Sequence, residues 1–238
     1  MNQSERNRSL QLDPRLAKCA SFVRDGVRVA DIGTDHGYLP IALLQSGKAV
    51  SAIAADINKD PLDSAVRNAE KYGLTEKMHF VLSDGLHGLS AADADDVIIA
   101  GMGGELILRI VSEAPWLRAP EKHLILQPMT TAAQLRSGLA ALGFEIDREE
   151  AVYDGRKIYS VLSVYYTGVV QPQIGLLETH MGKIVPGSEH SARYAESVLH
   201  NLTNKLRGLQ HTGQETESLE NVIEEIRKLY RTGNNGEE

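Results

Sequence analysis

A chain of 238 residues, 42% hydrophobic and 24% charged, is sized and composed for one α/β domain with a small appendage and is unlike a disordered chain. Its net charge of -7 lacks the overall signature of a nucleic-acid binder, and a single cysteine, Cys19, excludes an internal disulfide or a cysteine-based zinc cluster. No run of about twenty apolar residues occurs, and Met1–Arg8 lacks the apolar centre of a secretory signal, so a cytoplasmic protein with no membrane segment and no metal is expected.

A helix is expected from Pro14 to about Arg24. Residues 1–28 carry Arg6, Arg8, Arg15, Lys18, Arg24 and Arg28 against Glu5, Asp13 and Asp25, a local basic excess that could contact phosphates or could be a solvated helix face. Strands and helices then alternate: strand Val27–Asp31 and helix Tyr38–Gln45; strand Ser51–Asp56 and helix Asp60–Tyr72, stopped by Gly73; strands Met78–Leu82 and Asp96–Ala100; helix Glu105–Glu113; strand Leu124–Gln127; and helix Thr131–Leu142, ended by Gly143. The rhythm changes at Phe144–Tyr153 and Lys157–Tyr166, two strands joined across Asp154-Gly155-Arg156, a hairpin signal. The order predicts an α/β fold with a seven-stranded, mainly parallel sheet and an antiparallel edge. Residues 1–166 form that domain, 167–187 connect, and 188–232 read as a coiled-coil-like helical hairpin, from apolar residues at helical spacing on both sides of Gly213. Residues 233–238 read as a disordered tail.

In a parallel sheet the ligand lies at the carboxyl ends of the strands. Asp31-Ile32-Gly33-Thr34-Asp35-His36-Gly37-Tyr38 puts an acid at a strand end, then a glycine turn and a helix start whose N–H groups are unpaired. This spacing differs from the dinucleotide fingerprint Gly-x-Gly-x-x-Gly. Asp56, followed by Ile57, closes the second strand, where a carboxylate can accept both ribose hydroxyls of an adenosine. Asp84-Gly85 follows the third, where a carboxylate can take the exocyclic amine of adenine. Each acid alone could be a helix cap or loop residue. The fourth strand runs into Ala100-Gly101-Met102-Gly103-Gly104, whose glycines permit close backbone approach, and the fifth ends at Gln127-Pro128. His36 could contact a cofactor carboxylate or a substrate phosphate, or be a surface residue.

The acid-glycine loop resembles the cofactor loop of S-adenosylmethionine (SAM) dependent methyltransferases, and a terminal strand hairpin is the Rossmann-like topology of their class I. Asp31–Pro40, Ala55–Ile57, Ile99–Gly104 and Gln127-Pro128, with Leu12-Asp13-Pro14-Arg15-Leu16 ahead of them, closely resemble the bacterial tRNA adenine-22 N1-methyltransferase family. The resemblance covers about residues 10–165 and extends to the layout of the hairpin. Met129 departs from it, since the family favours Asn there. The resemblance implies methyl transfer from SAM to N1 of adenine 22 in tRNA. Asp31, Gly33, Thr34 and Gly37 would hold the methionine end of the cofactor; Asp56, Ile57, Asp84, Gly85, Ala100 and Gly101 would hold the rest, with His36 beside it. Gly101, Met102 and the Gln127 amide oxygen would position the reacting adenine, and Arg8, Arg15, His36 and Tyr38 would contact tRNA. A monomer or weak dimer is expected. Two other readings stand beside this one: a SAM-dependent methyltransferase of a small molecule or protein, favoured by the acidic balance, and a non-catalytic interaction protein that uses the hairpin to recruit a partner. From residue 188 onward six Lys/Arg stand against nine Asp/Glu, so the hairpin is not itself basic.

Overall fold

The computed structural model describes residues 10–231. Asp13 caps the first helix, α1 (Pro14–Phe22), by accepting from Leu16 N at 2.7 Å, and Pro14 sits where its missing N–H costs nothing. Strands β1 (Val27–Ile32), β2 (Ala49–Asp56), β3 (Met78–Leu82), β4 (Asp96–Gly103), β5 (His123–Thr130), β6 (Phe144–Asp154) and β7 (Lys157–Tyr166) form one sheet in the order β3-β2-β1-β4-β5-β7-β6. The first five pair in parallel, and β7 is antiparallel to both its neighbours. The sequence predicts an antiparallel strand at the edge, but the antiparallel strand is one position in from it. It inserts between β5 and the edge strand β6, because the two-residue turn at Gly155-Arg156 folds β7 back beside β6 on its inner side.

Helices cover both faces. Successive residues of β1 alternate, Val29 packing with α1, α2 (Tyr38–Gln45) and α3 (Lys59–Tyr72), while Ala30 and Ile32 pack with α4 (Gly104–Ser112) and α5 (Ala132–Ala141). Gly73, at φ +70°, ends α3, with Leu74 N bonding back to Ala69 O at 2.9 Å. Cys19 lies inside the α1 layer, and burial pushes its thiol up to about 12, which leaves it unreactive.

The connecting region holds a short helix, α6 (Leu176–Met181), that the sequence reading did not anticipate. The hairpin is α7 (Glu189–His211), opened by a reciprocal Ser188–Ser191 cap, and α8 (Glu217–Arg231). Leu219, Val222, Ile223 and Ile226 of α8 meet Tyr194, Ala195 and Leu202 of α7 in one core that also takes in Met181, Ile184 and Ala151 of β6. The hairpin thus docks on the sheet. Arg136 of α5 fixes the joint: fully buried, it bonds Glu149 of β6 (Nη2–Oε1 2.6 Å), the Tyr194 hydroxyl (2.6 Å) and the carbonyls of Thr179 and His180 (2.9 Å each). The expected disordered tail and Arg8 lie outside the described residues, and no described helix is long and apolar enough to cross a membrane.

Candidate active site

The carboxyl ends of β1 to β5 bring the expected loops together. After β1, Gly33 N and Thr34 N both donate to Ala55 O of β2 (2.8 and 3.0 Å), which pins the turn to the neighbouring strand. Gly37 has φ +69°, and a Cβ there would lie 2.9 Å from Ala65 Cβ, so only glycine lets α2 start this close to α3. Asp31 is buried. Burial pushes its carboxyl up to about 6, the Thr34 hydroxyl and the Arg15 charge pull it back, and the Asp56 charge raises it. Thr34 Oγ1 is buried with no well-aligned hydrogen-bond partner. An acid without an ion pair beside an unpartnered hydroxyl is a costly arrangement that a bound cation with N–H donors would relieve.

Asp35 and His36 form an exposed rim. His36 is held at φ +62°, its Nε2 lies 3.1 Å from Asp35 Oδ1, and its ring stacks on Tyr38 with centroids 5.4 Å apart. Asn68 secures the loop by donating to His36 O at 2.9 Å. Asp56 accepts from Asn58 N at 2.7 Å. Beside it Ile57 is 61% exposed, and Leu82, paired with Asp56 across β2 and β3, is 63% exposed. These side chains offer apolar surface next to a ribose-binding acid, and Leu82 was not singled out in the sequence, where it reads as an ordinary strand residue. Asp84 is exposed and already engaged: Arg109 Nη2 of α4 donates to its Oδ1 at 2.9 Å and holds its carboxyl below the usual range. Its other oxygen makes no hydrogen bond among the described residues. Gly85 packs against Ile110.

At the end of β4 the pairing to β5 skips Gly101, a bulge at φ +82°, and resumes at Met102 opposite Pro128. The Met102 methyl packs against Gly33, in space a Cβ on Gly33 would fill, so the β1 and β4 loops touch. A Cβ on Gly104 would lie 2.5 Å from Thr131 O, which reserves that position for glycine. Gln127 departs from its expected role. It is fully buried, its amide oxygen accepts from Gly101 N (3.0 Å) and Arg15 Nη1 (2.9 Å), and its Nε2 donates to Pro128 O (2.9 Å). Its oxygen therefore holds the Gly101 bulge in place and does not face the cleft.

Arg15 departs as well. Only 18% exposed, it reaches Gln127 instead of projecting as a phosphate contact. Three further cations of the N-terminal segment are likewise paired within the chain: Lys18 with Glu150 (2.6 Å), Arg24 with the buried Asp96 (2.6 Å) and Arg28 with Asp95 (2.6 Å), while Arg6, like Arg8, lies outside the described residues. Asp96 and Arg28 lie toward the amino ends of their strands, opposite the site. Among the described residues no group of three or more His, Cys, Asp or Glu is placed to hold a metal ion.

A methyltransferase-domain family model matches residues 12–162, which includes every loop just described. The chain belongs to this family of methyltransferase domains. The tRNA (adenine(22)-N(1))-methyltransferase of Bacillus subtilis is 37% identical over 153 residues, 64% of each chain, so the match spans less than two thirds of that enzyme. Among solved structures, a Streptococcus agalactiae protein of the NADB-Rossmann superfamily superposes with a TM-score of 0.79 at 34% identity, covering 93% of this chain and 98% of that one. TrmK of M. capricolum, solved with S-adenosyl-homocysteine, gives 0.74 at 29% identity, covering 91% and 96%. The latter two likenesses extend beyond the methyltransferase domain into α6 and the hairpin.

Proposed function

We propose that this methyltransferase transfers the methyl group of SAM to N1 of an adenine in tRNA, at position 22. The observation that carries the cofactor assignment is the buried Asp31–Thr34 pair ahead of α2, a carboxylate with no ion pair beside a hydroxyl with no well-aligned hydrogen-bond partner. An amino-acid ammonium fits that pair, Asp56 is placed to accept ribose hydroxyls, and Ile57 and Leu82 offer a surface for adenine. SAM, when bound, would supply the methyl group from its sulfonium, the methyl–sulfur bond breaking as the bond to N1 forms, and would leave as the neutral thioether while the positive charge passes to the adenine. The substrate assignment is supported by the Bacillus subtilis relative, which acts on adenine 22 of tRNA.

Neutral adenine N1 carries its own lone pair, so the chain needs no strong base. Its task is to hold the ring in line and stabilise the positive charge that develops on it. Carbonyls of the Ala100–Gly103 bulge, held in place through Gln127 and Arg15, serve that purpose. The base must be extruded from folded tRNA, and the exposed His36–Tyr38 stack offers a surface at the mouth for it to pass or rest on. The hairpin's apolar seam is covered within the chain, which fits a monomer or weak dimer, and a tRNA substrate fits a cytoplasmic protein. The test is to incubate the purified protein with unmodified tRNA and SAM, digest, and look for 1-methyladenosine. Its appearance is expected; its absence with folded, SAM-binding protein refutes the substrate.

The acidic balance and the internal pairing of Lys18, Arg24 and Arg28 favour a second reading, a SAM-dependent enzyme with a small-molecule or protein substrate. Turnover of such a small substrate would be nearly insensitive to salt, whereas tRNA affinity falls steeply with it.

A further inference from the structure

A cavity of about 420 Å³ opens where the domain meets the hairpin, within the range of about 300–1,000 Å³ that ligand pockets occupy. One wall is the β5–α5 turn, Pro128 to Gln134, which continues directly from the catalytic bulge because Met102 and Gly103 pair with Pro128 and Thr130. The opposite wall is α7, which presents Ser197, Asn201 and Lys205 at four-residue intervals, a polar stripe on one helix face.

Three observations fix the chemistry of its occupant. First, no Asp or Glu lines the cavity, although the chain holds 32 of them and is acidic overall. Lys205 makes no ion pair among the described residues, and His180 nearby has its pKa lowered by burial, then by the charges of Lys205 and Arg136, so the local field is positive. Second, α5 begins in this wall with no side chain capping it, since Thr131 at φ +53° makes no cap hydrogen bond, and Ala132, Ala133 and Gln134 all line the cavity. Third, Ser160 of β7, another lining residue, is 2% exposed, and its hydroxyl has no partner. A buried donor, an uncapped helix start and an unpaired lysine around one space suit an anion with several acceptor oxygens. Met129, Ile158 and Val198, also in the lining, are apolar and suit a flat ring.

We propose that this interdomain cleft binds the nucleotide next to the methylated adenine in the substrate RNA, with its phosphate between the start of α5, Ser160 and Lys205 and its base against Met129, Ile158 and Val198. The assignment rests on RNA being the substrate, and it makes the hairpin one wall of the substrate site.

The test measures tRNA methylation and SAM affinity for Lys205→Ala, Ser160→Ala and a control, Lys228→Ala, whose lysine pairs with Glu224 on α8 outside this cavity. Lys205→Ala is expected to raise KM for tRNA about tenfold and lower the salt slope of binding by about 0.7–0.9, the contribution of one phosphate contact. Ser160→Ala, which removes a hydroxyl with no internal partner and so leaves folding intact, is expected to raise KM about three- to tenfold. SAM affinity and the control stay unchanged. Unaltered KM and salt slope in both cavity variants, with the parent protein methylating tRNA normally, overturn the cleft and leave the activity standing. If the parent methylates no tRNA, the substrate reading fails, and a separate titration still decides the cleft. A five-nucleotide single-stranded RNA should shift the amide resonances of Ala132–Gln134 and Ser160; the absence of shifts there overturns it.

Discussion

Replacing Asp31 by Asn should move stability and cofactor affinity in opposite directions. Burial raises the Asp31 carboxyl from 3.8 to about 6 in the ligand-free protein. At about 1.4 kcal/mol per pH unit, ionising it in the fold costs about 3 kcal/mol relative to the unfolded chain. That cost is fully present above pH 6 and is relieved as pH falls from 6 toward 4, because the neutral acid is the form the fold prefers. Asn carries no charge at any pH. The ligand-free variant should therefore be more stable than the parent at pH 8, by up to about 3 kcal/mol, and nearly equal to it at pH 4. Binding an ammonium requires the ionised acid. SAM affinity of the parent should then fall about tenfold per pH unit below pH 6, hold level to about pH 8, and drop again as the amino group loses its proton. In the variant it should fall about a hundredfold at pH 7 and lose the acid limb. Denaturant unfolding gives the first quantity and calorimetry the second. An Asp31→Asn variant less stable than the parent at pH 8, or SAM affinity that is flat from pH 5 to 7 in the parent, refutes the placement of the amine at Asp31.

Asp56→Ala removes the acceptor proposed for the ribose and should weaken SAM binding at least tenfold by calorimetry, with little change in stability because Asp56 is partly exposed and its carboxylate, among the described residues, accepts only from Asn58 N. Gln127→Ala frees the Gly101 bulge and removes the acceptor of Arg15 Nη1, so kcat should drop about tenfold or more while SAM affinity changes less than threefold; equal losses in both would place Gln127 in the cofactor site. Arg136→Met strands the buried Glu149 carboxylate and should cost about 3–5 kcal/mol in denaturant unfolding, whereas Arg136→Met with Glu149→Leu should recover most of it.

The alternation of strands and helices was legible because the apolar runs of β1, β4 and β5 are buried on both faces and stand apart from the amphipathic helices. Strand ends were harder to read. Both β4 and β5 continue past their expected ends at Ala100 and Gln127, since a bulge at Gly101 and a proline at 128 interrupt the pattern but not the pairing. The six residues of α6, between Gly175 and Gly182, are too few to show a period. Charge misled most. Arg15 is 112 residues from Gln127, and Arg109 is 25 from Asp84, so nothing local distinguishes an internal guanidinium from one that awaits a phosphate. The same distance hid the interdomain cleft, assembled from α5, β7 and α7, none of which reads as a binding element alone. The hairpin's apolar seam was plain in the sequence, but its docking on Ala151 was not, because an isolated helical pair and a docked one share the same spacing.

The most direct measurement compares two transcripts of one tRNA, one with adenine at position 22 and one with guanine there, each incubated with the protein and SAM and mapped by mass spectrometry after nuclease digestion. One methyl group on N1 of adenine 22 in the first transcript and none in the second is the expected result. Equal methylation of both transcripts, or methylation of neither by protein that binds SAM, contradicts it.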